Sequence, residues 1–471
     1  MTACSPAIPP GRIKAMLQAE RAQFEERHPR SRALAGRSAS HWLRGVPMYW
    51  MADWGTPFAL FVETAHGVSL TDADGDDYAD FCLGDTGAMF GHSAPAIAAA
   101  VARQAARGLT TMLPSPDAAA VGELLSQRFD LPYWQVTATA SDANRSVIRW
   151  ARAVTGRPKI LVMQGCYHGA VDDTFVTLEH GRARNRPGLV GEVRDLTQIA
   201  AVVEFNDITA LEKAVGAGDV ALVLAEPVMT NCGMVLPEPG YHETPSALTR
   251  RHGTLVCLDE THTISSGPGG YAAAHGLEPD FLVLGKPIAG GSPAAVYGWS
   301  AQVDARIKDY LANREPGYSG IGTTLSGNAL QLACMRVVLE QMLTDDTYDA
   351  AMPLAENLEA GLRDLIGHHG LPWSVVRAGL RAEIVLAPQP PRNGTQALLH
   401  SHSELEQALH LHCLNRGVVI TPFHNMMLVC PHTRAEHIAR LLDVLDQGMS
   451  ALSTKPALRT NTTCKEPSRR S

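Results

Sequence analysis

Between residues 118 and 300 the chain alternates short, continuous apolar runs with amphipathic helical segments, and this pattern restricts its fold more than any other feature. The runs lie in WQVTAT, KILVMQG, AAVVEF, VALVLAEPV, TLVCLDET and FLVLGK. Runs of that length fit strands covered on both faces by helices, as in a mostly parallel sheet. The predicted class is α/β, with this sheet at the centre of a large domain and a smaller α+β domain beside it. Polar or small residues stand where the strands end: Ser141-Asp142, Tyr167-His168, Glu226-Pro227, Asp259-Glu260 and Lys286. Ligands of open α/β sheets bind beyond the carboxyl ends of the strands, so chemistry is expected there.

A chain of 471 residues can bury two or three lobes. Residues 1–45 read as a helical segment, 46–117 as the first part of a small domain with its linker, and 118–318 as the large domain. Residues 319–452 read as the C-terminal small domain and 453–471 as a polar, disordered tail. Alternation in FALFVETAHGVSLTDADGDDYADF predicts a hairpin turning at Asp72-Ala73-Asp74-Gly75. APAIAAAVARQAARGL and NALQLACMRVVLEQML read as helices. The formal net charge is -8, with no block of Lys or Arg before the tail, which argues against nucleic acid or an anionic membrane as the partner. Nine scattered cysteines without C-x-x-C or metal-ligand spacing fit a reducing compartment. No secretory h-region and no run of eighteen apolar residues occurs, so a cytoplasmic protein is expected and no metal is assigned.

Four segments carry chemistry. Lys286 ends an apolar strand and precedes PIAGGSP, a loop too rich in Gly and Pro for helix. A lysine so placed is partly removed from water, which frees its amine for Schiff-base formation, although a lone lysine there is ordinarily a snorkelling side chain. Asp259 closes the strand VCLD twenty-seven residues earlier, where a carboxylate can face a cofactor's ring nitrogen or merely cap a helix. In TATASDANRSVIRWARA a strand runs into Thr139, Ala140 and Ser141 and a helix starts at once, so free N–H groups and hydroxyls can cradle a phosphate. In GCYHG, Tyr167 or His168 can stack on a planar ring. Each signal is weak alone; their order along the chain is specific.

At these residues the chain resembles the class III aminotransferases of pyridoxal-phosphate (PLP) fold type I, especially their glutamate-1-semialdehyde aminomutase-like branch, over residues 45 to 452. DADGDDYADF and GHSAPAI match the family's D-x-D-G-x-x-Y-x-D and G-H-x-x-P segments. Its phosphate loop stands here as Thr139-Ala140-Ser141-Asp142-Ala143-Asn144, its Y-H-G as Tyr167-His168-Gly169, and its E-P as Glu226-Pro227. D-E-V becomes Asp259-Glu260-Thr261, the lysine motif is LGKPIAGGSP, and G-T-L-S-G-N-P becomes Thr323 to Ala329. The resemblance implies PLP held on Lys286, Asp259 on its pyridine nitrogen and Tyr167 against its ring. It further implies Thr139, Ala140, Ser141, His168, Glu226, Thr261 and His262 around the cofactor. Thr324 is implied to reach the phosphate of the neighbouring subunit, hence a homodimer.

Departures bear on substrate and on local packing. Ala140 replaces a glycine, which is tolerable if its φ is negative. His262 stands where Gln, Met or Ile is common, and its place after Asp259-Glu260 predicts a hydrogen bond to the cofactor's 3′-oxygen. Where the aminomutase carries an arginine for the substrate carboxylate, this chain reads VPMYWMADW, which makes Tyr49 and Trp50 candidate substrate residues. Where it carries a glutamate, the chain reads Phe423-His424-Asn425, adding His424. The expected activity is therefore transamination, moving an amino group between an amine or amino acid donor and a keto acid or aldehyde acceptor. The alternative is a PLP-dependent isomerase, either an aminomutase of the glutamate-1-semialdehyde type or a racemase.

Overall fold

A computed structural model describes residues 8–453; the predicted tail beyond Ser453 and the first seven residues, with Cys4 and Cys464, lie outside them. Seven strands form the central sheet, in spatial order 133–137, 295–299, 281–284, 255–259, 220–225, 159–163 and 200–203. Six of them run the same way, and only Ala295–Trp299 is antiparallel to its neighbours. The middle strands Val220–Ala225 and Phe281–Leu284 are buried at every residue, as continuous apolar runs require when helices cover both faces. Among those helices, Ala140–Thr155 lies against the strands Val220–Ala225, Phe281–Leu284 and Ala295–Trp299. The sheet is the scaffold of the expected class, and its strand ends carry the residues described below.

A second sheet joins the two ends of the chain. Val62–His66, Ser69–Asp72 and Asp77–Asp80 form an antiparallel meander, and the short strand Val418–Val419 adds to Asp77–Asp80 in parallel. The predicted hairpin turns where expected: Asp72 Oδ1 accepts the N–H groups of Asp74 and Asp76, each at 2.9 Å. The helix Pro10–Arg27 packs on the helix Ser403–Leu414, from the far end of the sequence. Its buried Glu20 accepts hydrogen bonds from Asn415 at 2.7 Å and Arg416 at 2.9 Å, and faces His412 Nδ1 at 2.8 Å. A buried charge persists only when its oxygens are satisfied in this way. The helix predicted after Gly327 runs from Ala329 to Val337 and widens into a π-turn over Val338–Met342. The loop after Lys286 contains one short 3-10 turn, Lys286–Ala289, where no helical turn was expected. Among the described residues, no helix is long and apolar enough to cross a membrane.

Candidate functional site

At the carboxyl ends of the central strands lies a cavity of about 380 Å³, lined by Thr139, Ala140, Ser141, Tyr167, His168, Glu226, Asp259, Thr261, His262 and Lys286. Its volume is at the small end of small-molecule sites. Ten of the eleven predicted cofactor residues thus meet around one space, and Trp50 joins them. Asp85, Gly87, Asn231 and Ser292, which sequence reasoning did not single out, complete much of the wall.

One side of the cavity is a helix N-terminus. Thr139 caps the helix Ala140–Thr155, its hydroxyl accepting from Asp142 N–H at 3.2 Å. The first N–H groups of a helix have no acceptor within it, so those of Ala140 and Ser141 can hold a phosphate. Ala140 is helical with negative φ, which satisfies the condition for replacing glycine there. Gly285, just before Lys286, has no room for a side chain: a Cβ there would come within 2.9 Å of the Ala140 Cβ. Gly169 is required opposite, since at φ 85° any Cβ would collide with Ser141.

Asp259 ends its strand fully enclosed. Its Oδ2 accepts from Asn144 Nδ2 at 2.9 Å and faces His168 Nδ1 at 3.0 Å, while Oδ1 accepts from Thr261 N–H at 3.2 Å. Burial alone would raise this carboxyl, but the hydrogen bond and charge of His168, with the bonds from Thr261 and Asn144, hold it down at about 2. It is therefore an anion at any working pH. Two polar atoms of the lining are buried without a protein partner among the described residues, His168 Nε2 and Glu226 Oε1. The other Glu226 oxygen accepts from Thr230 N–H at 3.0 Å. Tyr167 is half-buried, with the ring of Trp50 edge-on at 5.2 Å. Thr261 turns its hydroxyl to Gly285 N–H at 3.2 Å.

Lys286 Nζ lies 2.7 Å from Asp85 Oδ2 and 2.5 Å from His262 Nε2. The other ring nitrogen of His262 faces Arg381 at 2.8 Å and the Thr86 hydroxyl at 3.1 Å. His262 is thus tied to the lysine and to a buried arginine, a placement its sequence position did not convey.

Three predicted residues do not line this cavity. Tyr49 lies under the Arg44 guanidinium, 4.5 Å from its ring centre, so it packs on its own segment. His424 pairs with the buried Glu383 at 3.0 Å and borders a separate, smaller hollow with Cys232, His400 and Glu406. Thr324 sits in an exposed turn. Three arginines of the large domain do not line the cavity: Arg145 donates to Ala170 O at 2.6 Å, Arg184 pairs with Glu179 at 2.9 Å, and Arg182 is exposed.

The residues present fit PLP. An enclosed carboxylate suits a protonated ring nitrogen, a helix N-terminus suits a phosphate, and a lysine reaches the space between them. The partnerless atoms of His168 and Glu226 show that the protein alone does not complete the polar lining.

Comparison with known proteins agrees with this fit and corrects one expectation. Residues 50–449 match the family described as Aminotransferase class-III. The glutamate-1-semialdehyde 2,1-aminomutase of Symbiobacterium thermophilum is 33% identical over 434 residues, covering 89% of this chain and 98% of its own. A glutamate-1-semialdehyde-aminomutase from Pseudomonas aeruginosa PAO1 is 48% identical, with TM-score 0.92 over 94% of this chain and 99% of its own. A lysine-to-alanine variant of such an aminomutase from the same organism, in complex with PMP, is 47% identical with the same TM-score and coverage. These relatives are isomerases, so the expectation of transamination between a separate donor and acceptor is overturned. The physical reason is that lysine, aspartate and phosphate cradle serve both reactions alike, and fold and cofactor do not select between them.

Proposed function

This chain belongs to the class III aminotransferase family and uses pyridoxal 5′-phosphate, and from that premise we propose that it is an aminomutase, an isomerase that moves an amino group within one molecule. The observation that carries the reading is the 48% identity to an aminomutase along almost the whole of both chains. The proposed substrate is an amino aldehyde, with glutamate-1-semialdehyde, named for the relatives, as the first compound to test.

When bound, the cofactor supplies an aldehyde for amines and a protonated ring that draws electrons from a neighbouring C–H bond. The chain's residues then divide the work. Lys286 would hold the aldehyde carbon and, when displaced, ferry a proton at Nζ to and from the substrate carbon that carries nitrogen. Asp259, kept ionised by His168 and Asn144, would keep the ring nitrogen protonated. The Ala140 and Ser141 N–H groups would bind the phosphate, and Tyr167 would lie against the ring. Trp50, edge-on to Tyr167, would narrow the entrance and exclude water.

The expected result with purified protein and glutamate-1-semialdehyde is conversion to an isomer of identical mass. It should need no added keto acid or amine, and no free keto product should accumulate. Turnover that depends on a second carbonyl compound, with release of a keto acid, would refute the reading.

We also propose a homodimer in which Thr324 reaches the partner's phosphate site. Exposed large apolar residues support it: Leu325 and Tyr318 around that turn, Met112 and Leu113, and Trp42, Leu43, Met48, Tyr49, Trp50 and Met51. Single chains seldom leave so many large apolar side chains in water. Sedimentation should give twice the chain mass, and Thr324→Ala should release the cofactor more readily during dialysis. A monomer that retains cofactor would exclude the arrangement.

A further inference from the structure

The loop between the strand Asp77–Asp80 and His92 contains four consecutive residues with left-handed backbone: Leu83 at φ 47°, Gly84 at 57°, Asp85 at 50° and Thr86 at 82°. Three of the four are not glycine, and Thr86 is β-branched, for which this region is a true outlier. Strain of this kind survives only where the surroundings enforce it, and it concentrates at functional sites. The enforcement is visible. Asp80 Oδ1 accepts the N–H groups of Cys82 at 2.8 Å and Leu83 at 2.9 Å, and its other oxygen faces His92 Nε2 at 2.7 Å. Asp85 N–H returns to Cys82 O and Ala88 N–H to Leu83 O, both at 2.9 Å. What the strain achieves is placement: Asp85 Oδ2 meets Lys286 Nζ at 2.7 Å, and the Thr86 hydroxyl meets His262 and Arg381.

Hydrogen-bond chemistry at His262 assigns the roles. A guanidinium has donors and no acceptor, so Arg381, 1% exposed, must donate to His262 Nδ1. That nitrogen therefore carries the lone pair and Nε2 carries the proton. The cationic imidazole is disfavoured by burial and by Lys286 and Arg381 on either side. When Lys286 is a free amine, His262 consequently offers Nε2–H to its nitrogen while an Nζ–H goes to Asp85; when Lys286 is charged it can only donate, and the bond to Asp85 is the one that stands. The lysine nitrogen is oriented from two sides, and only Asp85 brings a negative charge.

We propose that Asp85 is a catalytic residue: it holds the Lys286 amine when that amine is free and balances positive charge on the same nitrogen when it is joined to the cofactor. This rests on Lys286 being the attachment point. The side chain is 45% exposed and lines the cavity. Its carboxyl lies well below the usual range; removal from water opposes this, but the positive charges of Lys286, when protonated, and Arg381 outweigh it. The other charged or titratable groups around the pair are Asp259 beside His262, and Tyr167 and His424 beside Asp85, with Glu383 behind His424.

Asp85→Asn tests the proposal, because Asn tolerates left-handed backbone and keeps the shape while removing the charge. The holoenzyme is titrated by visible absorbance of the Lys286–cofactor linkage. Loss of a carboxylate neighbour disfavours the protonated linkage, so its midpoint should fall by about 1–3 pH units. Turnover should fall about 100-fold, with partial recovery in Asp85→Glu. Should Asp85→Asn fail to fold, Asp85→Gly answers the same question, because it fits the left-handed backbone at φ 50° and also removes the charge. An unchanged midpoint in the variant that folds, with turnover within about twofold of wild type, overturns the proposal. A wild-type protein that forms no such band, matching Lys286→Ala, would instead remove the assignment of Lys286.

Discussion

Lys286→Ala is expected to lower turnover by about 10⁴-fold or more, the largest effect of any single substitution in this chain. Two functions are lost together: the covalent hold on the cofactor and the nitrogen that moves the proton. No neighbour replaces it, because Asp85 and His262 converge on Nζ itself and both are left without their shared partner. The fold should persist, since Lys286 follows a strand secured on both sides and its side chain is not part of the core. The measurement is single-turnover kinetics with saturating cofactor, alongside the visible spectrum. The cofactor should still be retained through the phosphate cradle, without the band of the lysine linkage. A variant that turns over at a tenth of the wild-type rate would mean that another base does the work.

Asp259→Asn should follow, at about 10²–10³-fold in kcat, the usual cost of removing a preorganised charge from an enclosed site. The substitution preserves shape but leaves nothing to keep the ring nitrogen protonated. It also isolates His168, whose charged form is opposed by burial and supported by Cys166 and Asp259. Breaking a buried pair from one side costs on the order of 3–5 kcal/mol. Chemical denaturation of the cofactor-free protein should therefore show a stability loss in Asp259→Asn that Asp85→Asn lacks. Undiminished kcat in a stable Asp259→Asn protein would contradict the assignment of the ring nitrogen's partner.

Much of this architecture can be read from residue pattern because burial on both faces demands it. The strand Phe281–Leu284 has no polar residue and no other place to go. The strand Ala295–Trp299 is harder to see, and the reason is local. A glycine interrupts its apolar run because the Trp134 ring crosses there, and a Cβ on Gly298 would come within 2.7 Å of it. Two-residue strands such as Val418–Val419 carry no periodicity at all. In the site, Lys286, Asp259 and the Thr139–Ser141 turn declare themselves because each ends a strand. Asp85 does not. An aspartate among glycines reads as an ordinary turn residue, and its reach to a lysine 201 positions away depends on backbone angles that composition does not encode. Adjacency to family positions singles out Tyr49 and His424, yet neither lines the cavity, and their protein partners are Arg44 and Glu383. The direction of the reaction was the least legible, because an isomerase and a transferase need the same first proton transfer from the same lysine.

The pairing of Asp77–Asp80 with Val418–Val419 sets the order in which this part of the protein can form during synthesis. About 340 residues separate the two strands, so at ordinary synthesis rates the first waits roughly 20–70 s for the second. For that interval a sheet edge stands open, ready to pair with another chain. The strained turn bearing Asp85 begins directly beyond this edge, where Phe81 N–H bonds Val419 O and Leu428 N–H bonds Phe81 O, each at 2.8 Å. The nascent central sheet can thus form early, but the loop that aims Asp85 at Lys286 has its support only once Val419 and Leu428 have been made.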